Sequence, residues 1–233
     1  MRNGRIIIRA KNAGHALLFI REKGIIKGNR LRRGENCGMG RYAECRRSTR
    51  ETEIEISLDL DGTGEYEIDT GIGFFDHMLE GVARHGLFDL SIQVRGDVHV
   101  DSHHTVEDTG IVLGQAFLQA LGDKDGITRF GHFILPMDDA LVLAALDFSG
   151  RAYFAFDAQL KADRLGTMET EVVKEFFMGL ANGAQMNLHI RELAGENTHH
   201  IVEAMFKATA KAMDMASRID GRIEGVLSTK GML

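Results

Sequence analysis

The sequence contains one internal duplication, and this repeat restricts the fold to two similar halves. His77–Ile92 aligns without a gap with Glu175–Ile190, and Leu58–Gly62 recurs as Leu146–Gly150. Self-similarity on this scale indicates two copies of one supersecondary unit, which bury their apolar faces against each other. The chain is therefore expected to form two pseudo-symmetric halves around a common core.

The residue pattern of the first half predicts strands and helices in alternation. Apolar and polar residues alternate from Ile54 to Leu60, as in a half-buried strand, and a Gly-rich turn follows. Farther along, Phe75, Met78 and Val82 have helical spacing, and Gly86 is predicted to end that helix. The predicted elements are strands at Ile54–Leu60, Glu65–Asp69 and Leu87–Arg95, a helix at Phe74–His85 between the last two, and a helix that ends at Leu121.

The duplication extends this prediction to the whole fold. Each half reads strand, strand, helix, strand, helix, which predicts an α+β sandwich with helices on one face of the sheets. We expect a basic extension over residues 1–44 and a duplicated catalytic domain over residues 45–233. The first repeat covers about residues 48–124, the second about 137–220, and residues 221–233 form a C-terminal tail.

Composition restricts the partners and the compartment. The whole chain has a formal net charge of −6, but residues 1–50 hold 14 Lys and Arg against 3 Asp and Glu. The remaining 14 basic and 31 acidic residues give the body a charge of −17, which argues against nucleic-acid binding. The basic extension could serve as an RNA-binding arm or a transit segment, but a tail without a required role is the simpler interpretation. No apolar run is long enough to span a membrane. Only Cys37 and Cys45 are present, which favours a cytoplasmic protein.

One motif occurs in both halves and predicts metal binding. Asp101–Asp108 reads DSHHTVED, and Asn197–Glu203 reads NTHHIVE. Two adjacent histidines followed by a carboxylate gather three metal-binding side chains within about one helical turn. Adjacent residues point about 100° apart on a helix, so the paired histidines are better placed to reach two ions than to chelate one.

The duplication adds two further ligand candidates, because His77 and Glu175 begin equivalent helices. Imidazole and carboxylate ligands without thiolate suit manganese or iron better than a structural zinc site. The alternative for any single histidine is a structural role, as a helix cap, a surface residue or a hydrogen-bonded core residue. That role is assigned to His85, His99, His132 and His189. Of these four, His85 is the first candidate for a role in the site, because it lies on the same helix as His77. The eight metal candidates are His77, His103, His104, Glu107, Glu175, His199, His200 and Glu203.

These motifs together resemble one enzyme family. GIGFFDHMLEGVARHGLFDL, DSHHTVED, the RFG at Arg129, the LDFSGR that ends at Arg151, LHIRELAGENTHHIVEAMFKA and the terminal STKG are similar to imidazoleglycerol-phosphate dehydratase of histidine biosynthesis. The resemblance covers about residues 45–233. It implies left-handed βαβ crossovers, two manganese ions per active site, and a homo-oligomer of 24 subunits with active sites between neighbouring subunits.

The resemblance also implies a reaction and its proton carriers. Dehydration of imidazoleglycerol phosphate removes a carbon-bound proton, and two cations at the imidazole ring can stabilise the charge that develops. Glu203 is the first candidate for the base, and Glu107 is its pseudo-symmetric alternative. Glu51, in a stretch that resembles the family's KET motif, is expected to contact a substrate hydroxyl or its water; the alternative is an exposed charge at a strand edge.

A phosphorylated imidazole substrate requires cationic partners, and the family pattern assigns five residues to the phosphate. Arg forks and Lys ammonium groups are common phosphate ligands. Two positions depart from the pattern, because Glu175 replaces a frequent His and Gly81 replaces a larger side chain, often Gln. The five phosphate candidates are Arg129, Arg151, Lys207, Ser228 and Lys230.

Three other functions are compatible with parts of the pattern. A metal-storage module would use the histidine clusters but would not need a phosphate site. A dinuclear phosphomonoesterase would need both the histidine clusters and the phosphate site. It would release free phosphate instead of a keto imidazole product. A purely structural shell protein is compatible with the fold but would not require both clusters.

Overall fold

In the computed structural model, residues 40–233 and the backbone of a short strand near the start of the chain are described. The predicted extension, residues 1–44, therefore lies mostly outside the described residues, as does Cys37. The strands are β1 (Arg5–Ile8), β2 (Tyr42–Ser48), β3 (Thr52–Asp59), β4 (Tyr66–Asp69), β5 (Asp89–Gly96), β6 (Phe130–Met137), β7 (Ala140–Asp147), β8 (Tyr153–Asp157), β9 (Arg164–Leu165), β10 (Met168–Glu169) and β11 (Asn187–Ala194). The helices are α1 (Gly73–Gly86), α2 (His103–Leu121), α3 (Val172–Ala184) and α4 (Thr198–Ser217).

The two halves form equivalent sheets, which confirms the predicted duplicated α+β fold. The first sheet has the order β1-β2-β3-β5-β4, and the second has the order β6-β7-β11-β8. Apart from β1, the two orders correspond strand by strand. In each sheet one pair is parallel, β4 with β5 and β8 with β11. Each parallel pair is joined through a helix, so these are the predicted βαβ crossovers.

The structure adds one strand at the start of each repeat, β2 in the first and β6 in the second. β2 begins at Tyr42, and its Ala43 is only 1% exposed. The folded domain therefore starts before residue 45, and the predicted extension overlaps its first strand. α1 ends at Gly86, as predicted, but the residue in the left-handed conformation is Leu87, with φ 60°. Gly86 is required by close packing instead, since a Cβ there would lie 2.3 Å from the Phe88 ring.

The hydrophobic core lies where the helices of the two repeats meet. α2 packs on β2 and β3 and against α3, whereas α4 packs on β6 and β7 and against α1. At the centre, the rings of Phe176 and Phe206 stack with their centroids 4.9 Å apart, and Phe75 meets Phe176 edge to face at 5.4 Å. Because these rings come from three helices and both repeats, neither repeat encloses this core alone.

The two equivalent helix contacts differ in closeness. In the α2–α3 contact, a Cβ on Gly114 would lie 2.4 Å from the Leu180 carbonyl oxygen, and a Cβ on Gly183 would lie 2.2 Å from that of Ile111. The helix backbones therefore touch, which only glycine permits. In the α1–α4 contact, a Cβ on Gly81 would meet no atom within 4 Å. One pseudo-symmetric contact is closed, and the other leaves open space.

Candidate functional site

A cluster of metal-competent side chains lies between α1 and α4. The side chain of His77 comes from α1, and those of His199 and Glu203 come from the first turns of α4. His199 Nε2 lies 3.3 Å from Glu203 Oε2, and His77 Nε2 lies 3.9 Å from Glu203 Oε1. Among the described residues, this is the one set of three whose ligand atoms all lie within 4.8 Å of one another.

The start of α4 is held by its capping residue. The Asn197 side-chain oxygen accepts hydrogen bonds from the backbone amides of His199, at 2.9 Å, and His200, at 3.4 Å. Such a cap satisfies amides that the first helical turn leaves unpaired. It also fixes the helix start, so that His199 and Glu203 lie on one face four residues apart.

The equivalent cluster of the first repeat is more open. Asp101 accepts a 2.8 Å hydrogen bond from the His103 amide, and His103 Nε2 lies 3.7 Å from Glu107 Oε2. Glu175, which is equivalent to His77, does not join them in a set of three within the described part of the chain. Within a single chain, the ligand atoms of His77, His199 and Glu203 therefore lie closer together than those of the equivalent residues Glu175, His103 and Glu107.

The second histidine of each pair points away from its cluster. The rings of His103 and His104 are inclined at 76°, and those of His199 and His200 at 81°. His104 Nδ1 lies 3.0 Å from Asp97, whose hydrogen bond raises the pKa of His104. His104 thus has a partner outside the cluster of His103 and Glu107, as expected for adjacent residues about 100° apart on a helix.

His200 has the same kind of partner. Its Nδ1 lies 2.6 Å from Asp139, and this hydrogen bond raises the pKa of His200. The pKa of Asp139 is lowered by hydrogen bonds from the Asn197 amide and from His200. A carboxylate at Nδ1 fixes the ring orientation. Nε2 of His200 lies 3.5 Å from the exposed carboxylate of Asp138. The sequence interpretation missed both carboxylates. Asp97 is only seven residues from His104 in the sequence, so its proximity could have been noticed. Asp139 lies in a turn 61 residues from His200, and nothing in the sequence links the two.

A cavity of about 190 Å³ opens beside the α1–α4 cluster. It occupies the space that the absent side chain of Gly81 leaves free. His85, which was assigned a structural role, lines this cavity, and burial together with the charge of Lys207 lowers its pKa. Residues that line the cavity include His77, Gly81, Arg84, His85, Glu203 and Lys207.

Lys207 and Glu203 form an ion pair at the edge of this cavity. Lys207 Nζ lies 2.7 Å from Glu203 Oε1, and Glu203 is only 8% exposed. Burial raises the pKa of Glu203, but the hydrogen bond and charge of Lys207 outweigh it, so the net pKa lies below its ordinary value. Glu203 is therefore a carboxylate at neutral pH, able to bind a cation or accept a proton.

The five predicted phosphate residues do not converge in one chain. Arg129 directly precedes β6 and binds Asp147 through Nε and Nη2 at 2.6 and 2.9 Å. Lys207 Nζ lies 3.8 Å from the sulfur of Met137, at the other end of β6. A strand of this length separates its two ends by roughly 20 Å. One phosphate therefore cannot contact both residues of the same chain.

The C-terminal tail lies at the Arg129 end. Arg129 Nη1 donates a 2.7 Å hydrogen bond to the Leu227 carbonyl, which brings Ser228 and the exposed Lys230 to this end of β6. Arg151 is exposed just after β7, which ends beside Arg129. Four phosphate candidates thus share one region, and Lys207 lies in another.

Glu51 is also separated from Glu203. It is exposed in the turn before β3, and its carbonyl accepts a 3.1 Å hydrogen bond from the Asp97 amide. Because Asp97 also binds His104, Glu51 and His104 belong to one group on the first repeat. The cluster around Glu203 belongs to the α1–α4 contact. The candidate residues of one chain therefore fall into two separate groups.

Residues 40–233 contain no helix with the length and apolar character needed to cross a bilayer.

Comparison with known proteins identifies relatives over most of the chain. The family model of imidazoleglycerol-phosphate dehydratase matches residues 70–213. The imidazoleglycerol-phosphate dehydratase of Lachnoclostridium phytofermentans is 63% identical over 193 residues, which cover 83% of this chain and 98% of that protein. The enzyme of the same name from Acetivibrio thermocellus is 59% identical over 195 residues, covering 84% of this chain and all of that protein.

Solved structures give the same result. The imidazoleglycerol-phosphate dehydratase of Staphylococcus aureus superposes with a TM-score of 0.70 at 37% identity, over 77% of this chain and 99% of the other. The Pyrococcus furiosus enzyme, solved in complex with (S)-C348, superposes with a TM-score of 0.71 at 40% identity, over 81% of this chain and 99% of the other. The family expected from the sequence motifs is confirmed, and the chain belongs to the imidazoleglycerol-phosphate dehydratase family.

Proposed function

We propose that this chain catalyses the metal-dependent dehydration of D-erythro-imidazole-glycerol phosphate to imidazole-acetol phosphate and water, in cytoplasmic histidine biosynthesis. Family membership supports the reaction class. The observation that carries the metal dependence is the set of His77, His199 and Glu203, whose ligand atoms lie within 4.8 Å of one another.

The donor set fits a divalent ion. Ligand atoms about 2.1 Å from one ion lie about 3 to 4 Å apart, and the distances of 3.3 and 3.9 Å to Glu203 fall in this range. Two imidazoles and a carboxylate without thiolate suit manganese. We propose two manganese ions per active site, with the equivalent ligands His103, Glu107 and Glu175 at the second ion.

The outward histidines, His104 and His200, complete the proposed ligand set from neighbouring chains. Each is oriented by a carboxylate at Nδ1, and neither joins the cluster of its own helix. Among the described residues of one chain, a single group of three ligands comes together. A full set for two ions therefore requires a second chain.

The chain supplies a base beside the bound ring. When bound, the two ions would provide positive charge at the imidazole ring, which stabilises the negative charge that develops as the carbon-bound proton leaves. Glu203 accepts that proton, since its pKa is held below the ordinary value by Lys207 and it is therefore ionised. Glu107 is the equivalent carboxylate of the first repeat and the alternative base.

Glu51 would act on the leaving hydroxyl. Loss of the carbon-bound proton to Glu203 and of the hydroxyl from the adjacent carbon as water gives an enol, which then tautomerises to the keto product. The hydroxyl needs a proton to leave as water, and the exposed Glu51 would contact that hydroxyl and relay a proton to it from solvent. Because Glu51 and Glu203 belong to separate regions of one chain, a neighbouring chain would contribute Glu51 to the site.

The phosphate candidates support the same arrangement. Lys207 and Arg129 lie at opposite ends of β6, so the pair would meet one phosphate only if they come from different chains. Arg129 would also order the tail that carries Ser228 and Lys230, through its hydrogen bond to Leu227. We propose that these residues, with Arg151, bind the substrate phosphate across a subunit boundary.

The outer face of the second sheet supports a homo-oligomer, which the family resemblance predicts to contain 24 subunits. In the first sheet the outward residues of β3 include the exposed Glu53 and Glu55. The equivalent residues of β7 are Leu141 and Leu143, and Ile134 beside Leu143 is 51% exposed. An apolar patch at a position where the duplicate is charged is typical of a protein interface.

Removal of metal is expected to abolish turnover. Protein treated with EDTA should convert imidazoleglycerol phosphate at least about 100-fold more slowly than manganese-loaded protein, because the charge that stabilises the transition state is lost. Formation of imidazole-acetol phosphate by absorbance measures the rate. Addition of manganese to the stripped protein should restore it.

The identity of the product separates the competing functions. A manganese-loaded sample that releases inorganic phosphate would be a phosphomonoesterase, and one that binds manganese without converting the substrate would be a storage protein. Either result would contradict the proposed dehydration. Equal turnover before and after removal of all bound metal would contradict the metal dependence.

A further inference from the structure

The connection between β8 and α3 is long and has no role in the reaction described above. In the first repeat, β4 ends at Asp69 and α1 begins at Gly73. In the second repeat, residues 158–171 separate β8 from α3 and contain the β9–β10 hairpin. We call residues 158–171 the strap. An added segment in one copy of a duplicated fold points to a function that the other copy lacks.

One side of the strap holds the start of α2. The hydroxyl of Ser102 donates a hydrogen bond to Glu169 Oε2, and Ser102 is only 4% exposed. Arg164 Nη2 lies 2.5 Å from the other oxygen of Glu169. The hydrogen bond from Ser102 is the main reason that the pKa of Glu169 is lowered. Ser102 is thus held by a charged partner from the other repeat.

The other side of the strap holds the start of α4. The Ala162 amide donates a 3.1 Å hydrogen bond to the hydroxyl oxygen of Thr198, which is 5% exposed. Thr170 ties the two sides of the strap together, because its hydroxyl donates to the Ala162 carbonyl at 2.6 Å and its amide to the Asp163 carbonyl at 3.0 Å. A short network therefore runs from one helix start to the other.

The two anchor residues occupy equivalent positions in the repeats. Ser102 directly precedes the histidine pair of α2, and Thr198 directly precedes that of α4. The tip of the strap also approaches the second cluster, since a Cβ on Gly166 would lie 3.8 Å from Phe74, whose ring packs against His199 at 5.2 Å. The strap is in contact with both copies of the histidine motif.

We propose that the strap is a positioning element that holds the two histidine clusters at a fixed separation and orientation. This proposal rests on the proposed function, because its purpose is to let one chain present both clusters to its neighbours at once. Residues that orient metal ligands commonly change metal affinity 10- to 100-fold when they are replaced. Ser102, Thr198, Glu169 and Thr170 are positioning residues in this scheme and do not contact the substrate.

The proposal predicts that a substitution at the start of one helix changes hydrogen exchange near the start of the other. In the full chain, Ser102→Ala should increase hydrogen exchange about 10-fold at the amides of Ala162 and Thr170, which lie on the α4 side of the strap. It should also weaken manganese binding about 10-fold, measured by the signal of free manganese in electron paramagnetic resonance. Ser102→Thr keeps the hydroxyl and should restore both values.

Two comparisons separate positioning from general stability. Arg164→Ala removes the exposed partner of Glu169 and leaves the Ser102 hydrogen bond, so it should change exchange and manganese affinity less than twofold. Exchange changes confined to α2 in Ser102→Ala, or an equal effect of Arg164→Ala, would overturn the proposal. The exchange measurement needs no metal, so it tests the strap even if the wild-type chain failed to bind manganese or to dehydrate the substrate.

Discussion

Replacement of Glu203 by glutamine is expected to lower the turnover of imidazoleglycerol phosphate about 10³-fold, which is the size of effect typical of a lost general base. Glutamine keeps the shape of the side chain but cannot accept the proton. It also leaves the charge of Lys207 without its partner at 2.7 Å, in a site where only 8% of Glu203 is exposed. The rate of product formation at saturating manganese measures the effect.

The equivalent carboxylate of the first repeat gives the matched control. Glu107→Gln changes the same motif in α2, where the carboxylate is half-buried and no lysine occupies the position of Lys207. We expect a smaller loss of turnover in this variant. The number of bound manganese ions must be counted in both variants, because each carboxylate is also a proposed ligand. Substantial turnover by Glu203→Gln with both ions bound would reject Glu203 as the base, and a larger loss in Glu107→Gln would assign the role to Glu107.

The second large effect is expected on stability. Gly179→Ala should lower the free energy of unfolding by about 3 kcal/mol, because overpacking of a rigid contact costs that much when the backbone must move. A Cβ at Gly179 would lie 2.8 Å from the carbonyl oxygen of Glu107 and 3.1 Å from the amide nitrogen of Ile111. Both atoms belong to the α2 backbone, so no side-chain rotation can relieve the contact. Chemical denaturation followed by circular dichroism measures the change.

The duplicated sequence provides a control at the equivalent position. Gly81→Ala makes the same change in α1, where a Cβ meets no atom within 4 Å. Alanine is a better helix former than glycine, so this variant should gain about 0.5 kcal/mol. Equal stability changes in the two variants would contradict direct backbone contact between α2 and α3.

Much of the fold was predictable because the duplication and the apolar periodicity agree. The buried residues Phe75, Met78 and Val82 are those that the helical spacing selected. β2 was missed because its buried residues, such as Ala43 and Cys45, are small and its outward arginines merge with the basic extension. β6 was missed because FGHFILPM is almost continuously apolar, with no clear alternation and a proline near its end.

The composition of the candidate site was more predictable than its geometry. The repeated histidine motif identified the ligand types, and helical geometry predicted that adjacent histidines diverge. The sequence aligned Gly81 with Gly179 but could not reveal that one faces a cavity and the other a helix backbone. Nor could it separate Arg129 from Lys207, since that depends on which end of β6 each one contacts. These features arise from tertiary packing, which local patterns do not encode.

The central claim is that a complete active site requires residues from two chains. It is tested most directly by mixing two inactive variants, Glu203→Gln and His104→Ala, unfolding them together and refolding them with manganese. If neighbouring chains share each site, about one quarter of the sites in an equal mixture combine an intact Glu203 with an intact His104, so activity should return to about a quarter of the wild-type value. Each variant refolded alone should stay inactive. A mixture as inactive as its components would contradict the claim, because it would place Glu203 and His104 in the same site of a single chain.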